Sequence, residues 1–151
     1  MKLIKTYEEE LKQNYLELHY KDMDEETREI VDMLSTDFIL IGRREKEQKI
    51  LQLKDIFYCE IVDRKCFCYL QNEVWQLNES LQDLLDRYEG KGLVRVSKSM
   101  LVNVYHVSKI SGDLNARLRL SLDNREHIIV NRSYRNTFYA TIRKLQKREE
   151  A

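Results

Sequence analysis

Three short segments place hydroxyls, amides and cations directly at the ends of apolar strands. They are Leu53–Glu60 followed by Arg64-Lys65, Leu93–Asn103, and Ile128–Tyr134. Within them Ser97-Lys98-Ser99 and Asn131-Arg132-Ser133 are compact hydrogen-bonding clusters. Phosphate oxygens and base edges require groups of this kind. The same residue types are also ordinary turn residues, so the clusters alone leave both readings open.

Other chemistries find little support. His19, His106 and His127 are scattered, and none has a second His or Cys two to four positions away, so no metal site is expected. Cys66-Phe67-Cys68 puts two thiols on one face of a strand, where neighbours are poorly placed to bridge. With Cys59 the count is odd, and free thiols acting as small apolar side chains are expected. There is no phosphate-binding glycine loop, no nucleophile elbow and no dinucleotide fingerprint. The reading is therefore not an enzyme, with no cofactor and no small-molecule substrate.

The chain has 151 residues, enough for one ordinary domain or a domain of about 100 residues with an extension. It is 42% hydrophobic, which suffices for a packed core despite a mean hydropathy of −0.61. No apolar run is long enough to span a bilayer, and charge at Lys2 and Lys5 breaks any signal-peptide core, so a cytoplasmic protein is expected. The 26 basic and 26 acidic residues cancel, but not locally. Residues 1–34 carry five basic and ten acidic groups, a net −5, while residues 91–148 carry thirteen and three, a net +10. A field of the latter sign suits a phosphate-binding surface; a solvated basic face is the alternative.

The elements that must position these clusters follow from periodicity. Alternation over Asn14–Tyr20 predicts a strand. Asp24 caps a predicted helix over Glu25–Leu34, whose stripe is Met23, Thr27, Ile30, Val31 and Leu34, and Ser35-Thr36 closes it. Phe38–Gly42 is a short apolar run, Arg43–Gln48 reads as a turn, and strands are expected at Ile50–Leu53, Ile56–Val62, Lys65–Leu70 and Glu73–Leu77. Asp63-Arg64 joins the second and third of these. Ser80 with Asp83 is a capping box for a helix over Leu81–Tyr88, ended by Gly90 and Gly92. Leu93–Val96 is a strand and Val102–Val107 continues irregularly. Arg117–Leu122 and His127–Val130 form a hairpin around Asp123-Asn124, and Ser133 opens a final helix with the stripe Tyr134, Phe138, Thr141, Ile142, Leu145.

Four motifs in this order resemble the LytTR DNA-binding domain family. They are Asp55-Ile56-Phe57-Tyr58-Cys59-Glu60, Ser80-Leu81-Gln82-Asp83-Leu84, Val94 through Asn103, and Ile128 through Tyr134. The resemblance covers roughly Lys46 to Leu145 and rests on the order and spacing of all four. It implies a mainly β (α+β overall), elongated antiparallel fold with short helices, here with a small N-terminal strand–helix extension. On that reading residues 1–45 are an acidic extension and residues 46–151 the DNA-binding domain.

The family resemblance further implies a bacterial, sequence-specific transcription regulator of double-stranded promoter DNA. Its loops enter successive major grooves of a bent duplex, often at paired direct repeats, with a homodimer on DNA. The DNA-facing loops fall at Asp63–Cys66, Ser97–Ser99 and Asn131–Arg132. Arg132 matches the family's base-contacting arginine and Lys98 a second contact position. Cys66 stands where another member has a longer base-reading side chain, which shifts that contact toward Lys65 or Arg64. Asn131 replaces a serine and suits a phosphate, and Arg95, Ser97 and Ser99 complete the candidate site. About 45 residues before the motifs are too few for a receiver domain. The chain thus resembles standalone regulators of Gram-positive bacteria, some controlled by a membrane-protein inhibitor. The extension is then a dimerisation or partner-docking element, or a flap that completes the sheet. An adaptor acting through the extension without DNA is the competing function.

Overall fold

The computed structural model describes residues 1–34 and 39–150. The chain divides into two compact units, Met1–Asp37 and Phe38–Ala151. The expected helix stop at Ser35-Thr36 and the first residue of the apolar run, Phe38, lie outside the described residues.

In the first unit α1 spans Glu25–Leu34. Asp24 caps it, its carboxylate accepting the Thr27 amide at 2.8 Å. Hydrogen bonds from the Thr27 side chain and backbone hold that carboxyl below its ordinary range. Of the expected stripe, Thr27 is buried, Ile30 and Val31 are half-buried, and Met23 and Leu34 are exposed. The expected strand at Asn14–Tyr20 is not one. The segment forms no ladder, and Tyr15, Leu16 and Tyr20 are all exposed. Alternation supplies two faces but not a hydrogen-bonding partner, and a strand needs both.

The second unit is antiparallel throughout. One sheet has seven strands in the order β2-β1-β5-β4-β3-β7-β6, and a second has three in the order β10-β9-β8. The strands are β1 (Leu40–Arg44), β2 (Glu47–Leu51), β3 (Tyr58–Val62), β4 (Lys65–Tyr69), β5 (Val74–Leu77), β6 (Leu93–Ser97), β7 (Met100–Asn103), β8 (Val107–Gly112), β9 (Leu118–Leu122) and β10 (His127–Val130). The turn expected over Arg43–Gln48 shrinks to Glu45-Lys46, with Glu45 at φ 54°, and the flanking charged residues pair Arg44 with Glu47 inside the strands. Leu40–Arg44, placed with the extension by a division after residue 45, is hydrogen-bonded into this sheet. Asp63-Arg64 is the two-residue turn between β3 and β4, with φ of 49° and 66°. That left-handed pair matches the twist of the strands it joins.

Two cores lie on opposite faces of the large sheet. Cys59, Cys66, Cys68, Trp75, Leu77 and Leu101 meet α2 (Leu81–Arg87) on one side through Leu81 and Leu84. Val94, Val96 and Val102 meet the small sheet and α3 (Arg135–Glu150) on the other through Leu120, Val130 and Phe138. Ser80 and Asp83 make the reciprocal capping box at 3.0 Å in each direction. Gly92, at φ 110°, closes the α2–β6 loop against the Tyr105 ring, which lies 2.6 Å from where a Cβ would sit. The irregular stretch after β7 is a 3-10 turn, Val104–His106, followed by β8, a strand the periodicity did not announce. A second such turn, Arg132–Tyr134, precedes α3, so the helix starts two residues later than Ser133.

Candidate nucleic-acid interface

The three polar clusters converge because strand direction brings their loops to one end of the large sheet. β3 runs antiparallel to β7 with Glu60 opposite Met100, so the Asp63-Arg64 turn and the Ser97–Ser99 loop share that end. The Ile61 amide donates to the Ser99 carbonyl at 2.9 Å and joins them. The third loop arrives from the other sheet. β6 and β7 change register between Arg95 and Ser97, leaving Val96 as the extra residue of a bulge. The Val96 carbonyl accepts the Asn131 amide at 2.9 Å. One irregular residue thus ties the end of β10 to the loop between β6 and β7.

The exposed side chains at this end include Asp63, Arg64 and Lys65, Lys98 and Ser99, and Asn131 and Arg132. Ser97 and Arg95 are half-buried. Ser97, Lys98, Ser99 and Asn131 line one cleft of about 440 Å³, together with Tyr58, Glu60 and His127. Arg132 follows directly and opens the 3-10 turn before α3. Arg95 is engaged internally: its Nη1 donates to the Lys98 carbonyl at 2.8 Å.

Cys66 does not belong to this surface. It is 4% exposed, pairs across the sheet with Leu77 and packs in the core beside Cys59 and Cys68. Strand parity explains this, since Lys65, Phe67 and Tyr69 take the opposite face of β4. Burial pushes the Cys66 thiol up to about 11, helped by the Glu79 charge. Burial, then the neighbouring Cys66, push Cys68 up to about 12. All three cysteines are free thiols. The outward groups of the first loop are therefore Asp63, Arg64 and Lys65.

His127, Tyr58 and Glu60 in the cleft are not among the candidate site residues, although Tyr58 and Glu60 lie in the first motif. The signal for His127 was available, because His127 and Ile129 share one face of β10 by period two and Asn131 follows the strand's end. Tyr58 stacks on Tyr69 with centroids 4.3 Å apart. Burial first, then a hydrogen bond and charge from Glu126, raise the Tyr58 phenol well above its ordinary range.

The basic character of residues 91–148 is distributed. Arg117 pairs with Asp113 at 3.1 Å, and Arg135 donates to the Ala116 carbonyl and lies over the Tyr139 ring. Lys98 and Arg132 are the members of that segment exposed at the loop end. Among the described residues there is no metal-binding cluster of His, Cys, Asp or Glu, and no helix long and apolar enough to cross a membrane. The described residues also contain no two successive α-helices, so a helix-turn-helix reader is not built here.

This loop-bearing antiparallel architecture is the LytTr DNA-binding fold. The family model of the LytTr DNA-binding domain matches residues 46–143, and the chain belongs to that family, which is not an enzyme class. It is similar to a solved LytTr DNA-binding domain from Bacillus cereus, with a TM-score of 0.65 and 23% identity over 69% of this chain and 95% of that one. It is also similar to uncharacterized HTH-type transcriptional regulators of Staphylococcus aureus. The proteins of strains NCTC 8325 / PS 47 and MRSA252 are 23% and 22% identical over 125 residues, 81% of this chain and 84% of each relative.

Proposed function

We propose that the chain is a sequence-specific regulator of transcription in a bacterial cytoplasm that reads double-stranded promoter DNA through the three gathered loops. The observation carrying this is the Val96–Asn131 bond, which sets two cationic loops side by side on one rigid end of a sheet. In this reading Arg132 enters a major groove and bonds a guanine through its O6 and N7. Lys98, Asn131, Ser99, Arg64 and Lys65 hold the phosphates that fix register. Loops on one sheet end reach successive grooves if the duplex bends toward them, which suits paired direct repeats and two copies on one operator.

Selection of bound fragments from genomic DNA tests the assignment and yields operator and repeat spacing together. Arg132→Ala should cost about 1–3 kcal/mol on the selected operator and relax preference at one base pair. Lys98→Ala should weaken all duplexes and lower the salt slope by about one. Unchanged affinity in both variants sinks the reading.

A partner-docking role for the N-terminal segment is a second proposal, motivated by Leu3, Ile4 and Tyr7, each at least 75% exposed beside the acidic run Glu8–Glu10. Such apolar side chains favour a protein surface, and a membrane-protein inhibitor or a second copy are the candidates. Co-purification with a protein partner that is lost on deleting residues 1–20 would support it; retention of the partner would not.

A further inference from the structure

We propose that Arg95 is a positioning residue of the loop at Ser97–Ser99 and not a DNA contact, an inference that rests on the DNA-binding reading above. The Lys98–Ser99 peptide is held at both of its polar atoms. Its oxygen accepts from Arg95 Nη1 at 2.8 Å, and its N–H donates to Ser97 Oγ at 3.3 Å. Both clamping side chains come from the end of β6, separated by the bulged Val96. The peptide unit is planar, so pinning its oxygen and its N–H fixes the plane and the directions in which Lys98 and Ser99 leave it. The next carbonyl, that of Ser99, is taken by the Ile61 amide.

The charge on Arg95 makes this clamp stronger than a neutral one, since a cationic donor roughly doubles a hydrogen bond. It also explains an arginine at a half-buried place whose neighbours Val94 and Val96 are core residues. Arg95 spans the loop from its root to its tip. The consequence is preorganisation. A loop ordered before it meets DNA loses less conformational entropy on binding, and only a duplex that fits the fixed geometry gains from it. Arg95 therefore acts on the register in which Lys98 and Ser99 meet the phosphates of a fitted duplex, and not as a charge that attracts phosphate in general.

The full chain with Arg95→Met or Arg95→Gln tests this, alone and with Lys98→Ala, Trp75 fluorescence confirming that each variant folds. Backbone amide exchange of Ser99 in the free protein is measured by NMR. Binding is measured on the selected operator and on a random duplex across a salt series. Expected for Arg95→Met are faster Ser99 exchange, a roughly tenfold loss on the operator, less than about a twofold change on random DNA, and an unchanged salt slope. Arg95→Gln, which keeps an N–H donor without charge, should recover part of the operator affinity. In the Lys98→Ala background Arg95→Met should cost much less than alone, because the two act as one unit.

The opposite pattern overturns the proposal. It consists of equal losses on both duplexes for both Arg95 variants, a salt slope lowered by about one, and unaltered Ser99 exchange, which together mark a direct phosphate contact. A wild-type chain that prefers no duplex removes the DNA reading and this role with it. That failure is told apart by Ser99 exchange, which would still rise in Arg95→Met.

Discussion

Asn103 is 1% exposed at the end of β7, and both ends of its amide are used. Its Nδ2 donates to the Leu53 carbonyl at 3.2 Å and the Ile56 carbonyl at 3.0 Å, and its Oδ1 accepts the Tyr105 amide at 3.1 Å. It thereby ties the 3-10 turn at Leu53–Asp55 to the one at Val104–His106. Asn103→Ala removes the donor for two carbonyls and the cap for a turn, and should cost on the order of 2–3 kcal/mol. Urea unfolding followed at Trp75 measures it, and a loss under about 0.5 kcal/mol would show that water replaces the amide. Asn103 reads from sequence as one more polar residue of the cluster after β6. Cys66 reads as a loop residue. Each is a core residue, because exposure depends on strand parity and on partners some fifty residues away in the chain, as Leu53 and Ile56 are from Asn103.

Elements set by local rules were the legible ones. The Asp24 cap, the Ser80–Asp83 box and the Asp63-Arg64 turn each involve residues within three positions, and each forms as the pattern requires. What depended on distant partners was not legible. Asn14–Tyr20 alternates but has no sheet, while β8 carries no clear alternation because its inward positions are irregular, with a register shift between Val107 and Lys109. From the residues alone the three-loop site was legible only as clusters, and as one site only through the family resemblance, since its assembly rests on the Val96 bulge and a bond from a different sheet. The capping box permits a quantitative test at this scale. Ser80→Ala frees the Asp83 amide and should cost about 1 kcal/mol, with Ser80→Asp retaining most of it. Hydrogen bonds from the Ser80 backbone and side chain hold the Asp83 carboxyl below its ordinary value. Its share of stability is therefore full above the unfolded value and lost as pH falls through the depressed one. Equal stability of Ser80→Ala and wild type at pH 7 would contradict the role.

Several acids of the whole molecule are raised together. Cys66 and Cys68 lie at about 11 and 12 against an ordinary 9.0, Cys59 is pushed well above it by burial, and burial also leads the rise at Tyr58 and Tyr69. For a raised group the folded state keeps its proton while the unfolded chain releases it. Stability is then intact below the unfolded value and falls as pH climbs toward the folded one. The urea midpoint should be level from pH 7 to about 9 and drop steeply by pH 11. An unchanged midpoint at pH 11 would show that these groups are not buried as described. Alkylation should likewise be slow for all three thiols until urea exposes them.

Net charge gives the last prediction at this scale. The whole chain is neutral, but residues 35–151 hold 21 basic and 16 acidic groups, a net +5. Attraction to a polyanion depends on summed charge over a Debye length of about 10 Å at 0.1 M salt, so an acidic segment carried with a DNA-binding domain weakens general attraction wherever it lies within that reach. Sequence discrimination comes from base contacts and should be unaffected. Deleting residues 1–34 should therefore tighten binding to random duplex at low salt, with the gain shrinking as salt rises, and should leave the ratio between operator and random DNA unchanged. Circular dichroism establishes that the remainder folds. If the folded truncation binds random DNA no more tightly at any salt, the acidic segment does not modulate the interface, and its exposed apolar side chains become the better guide to its role.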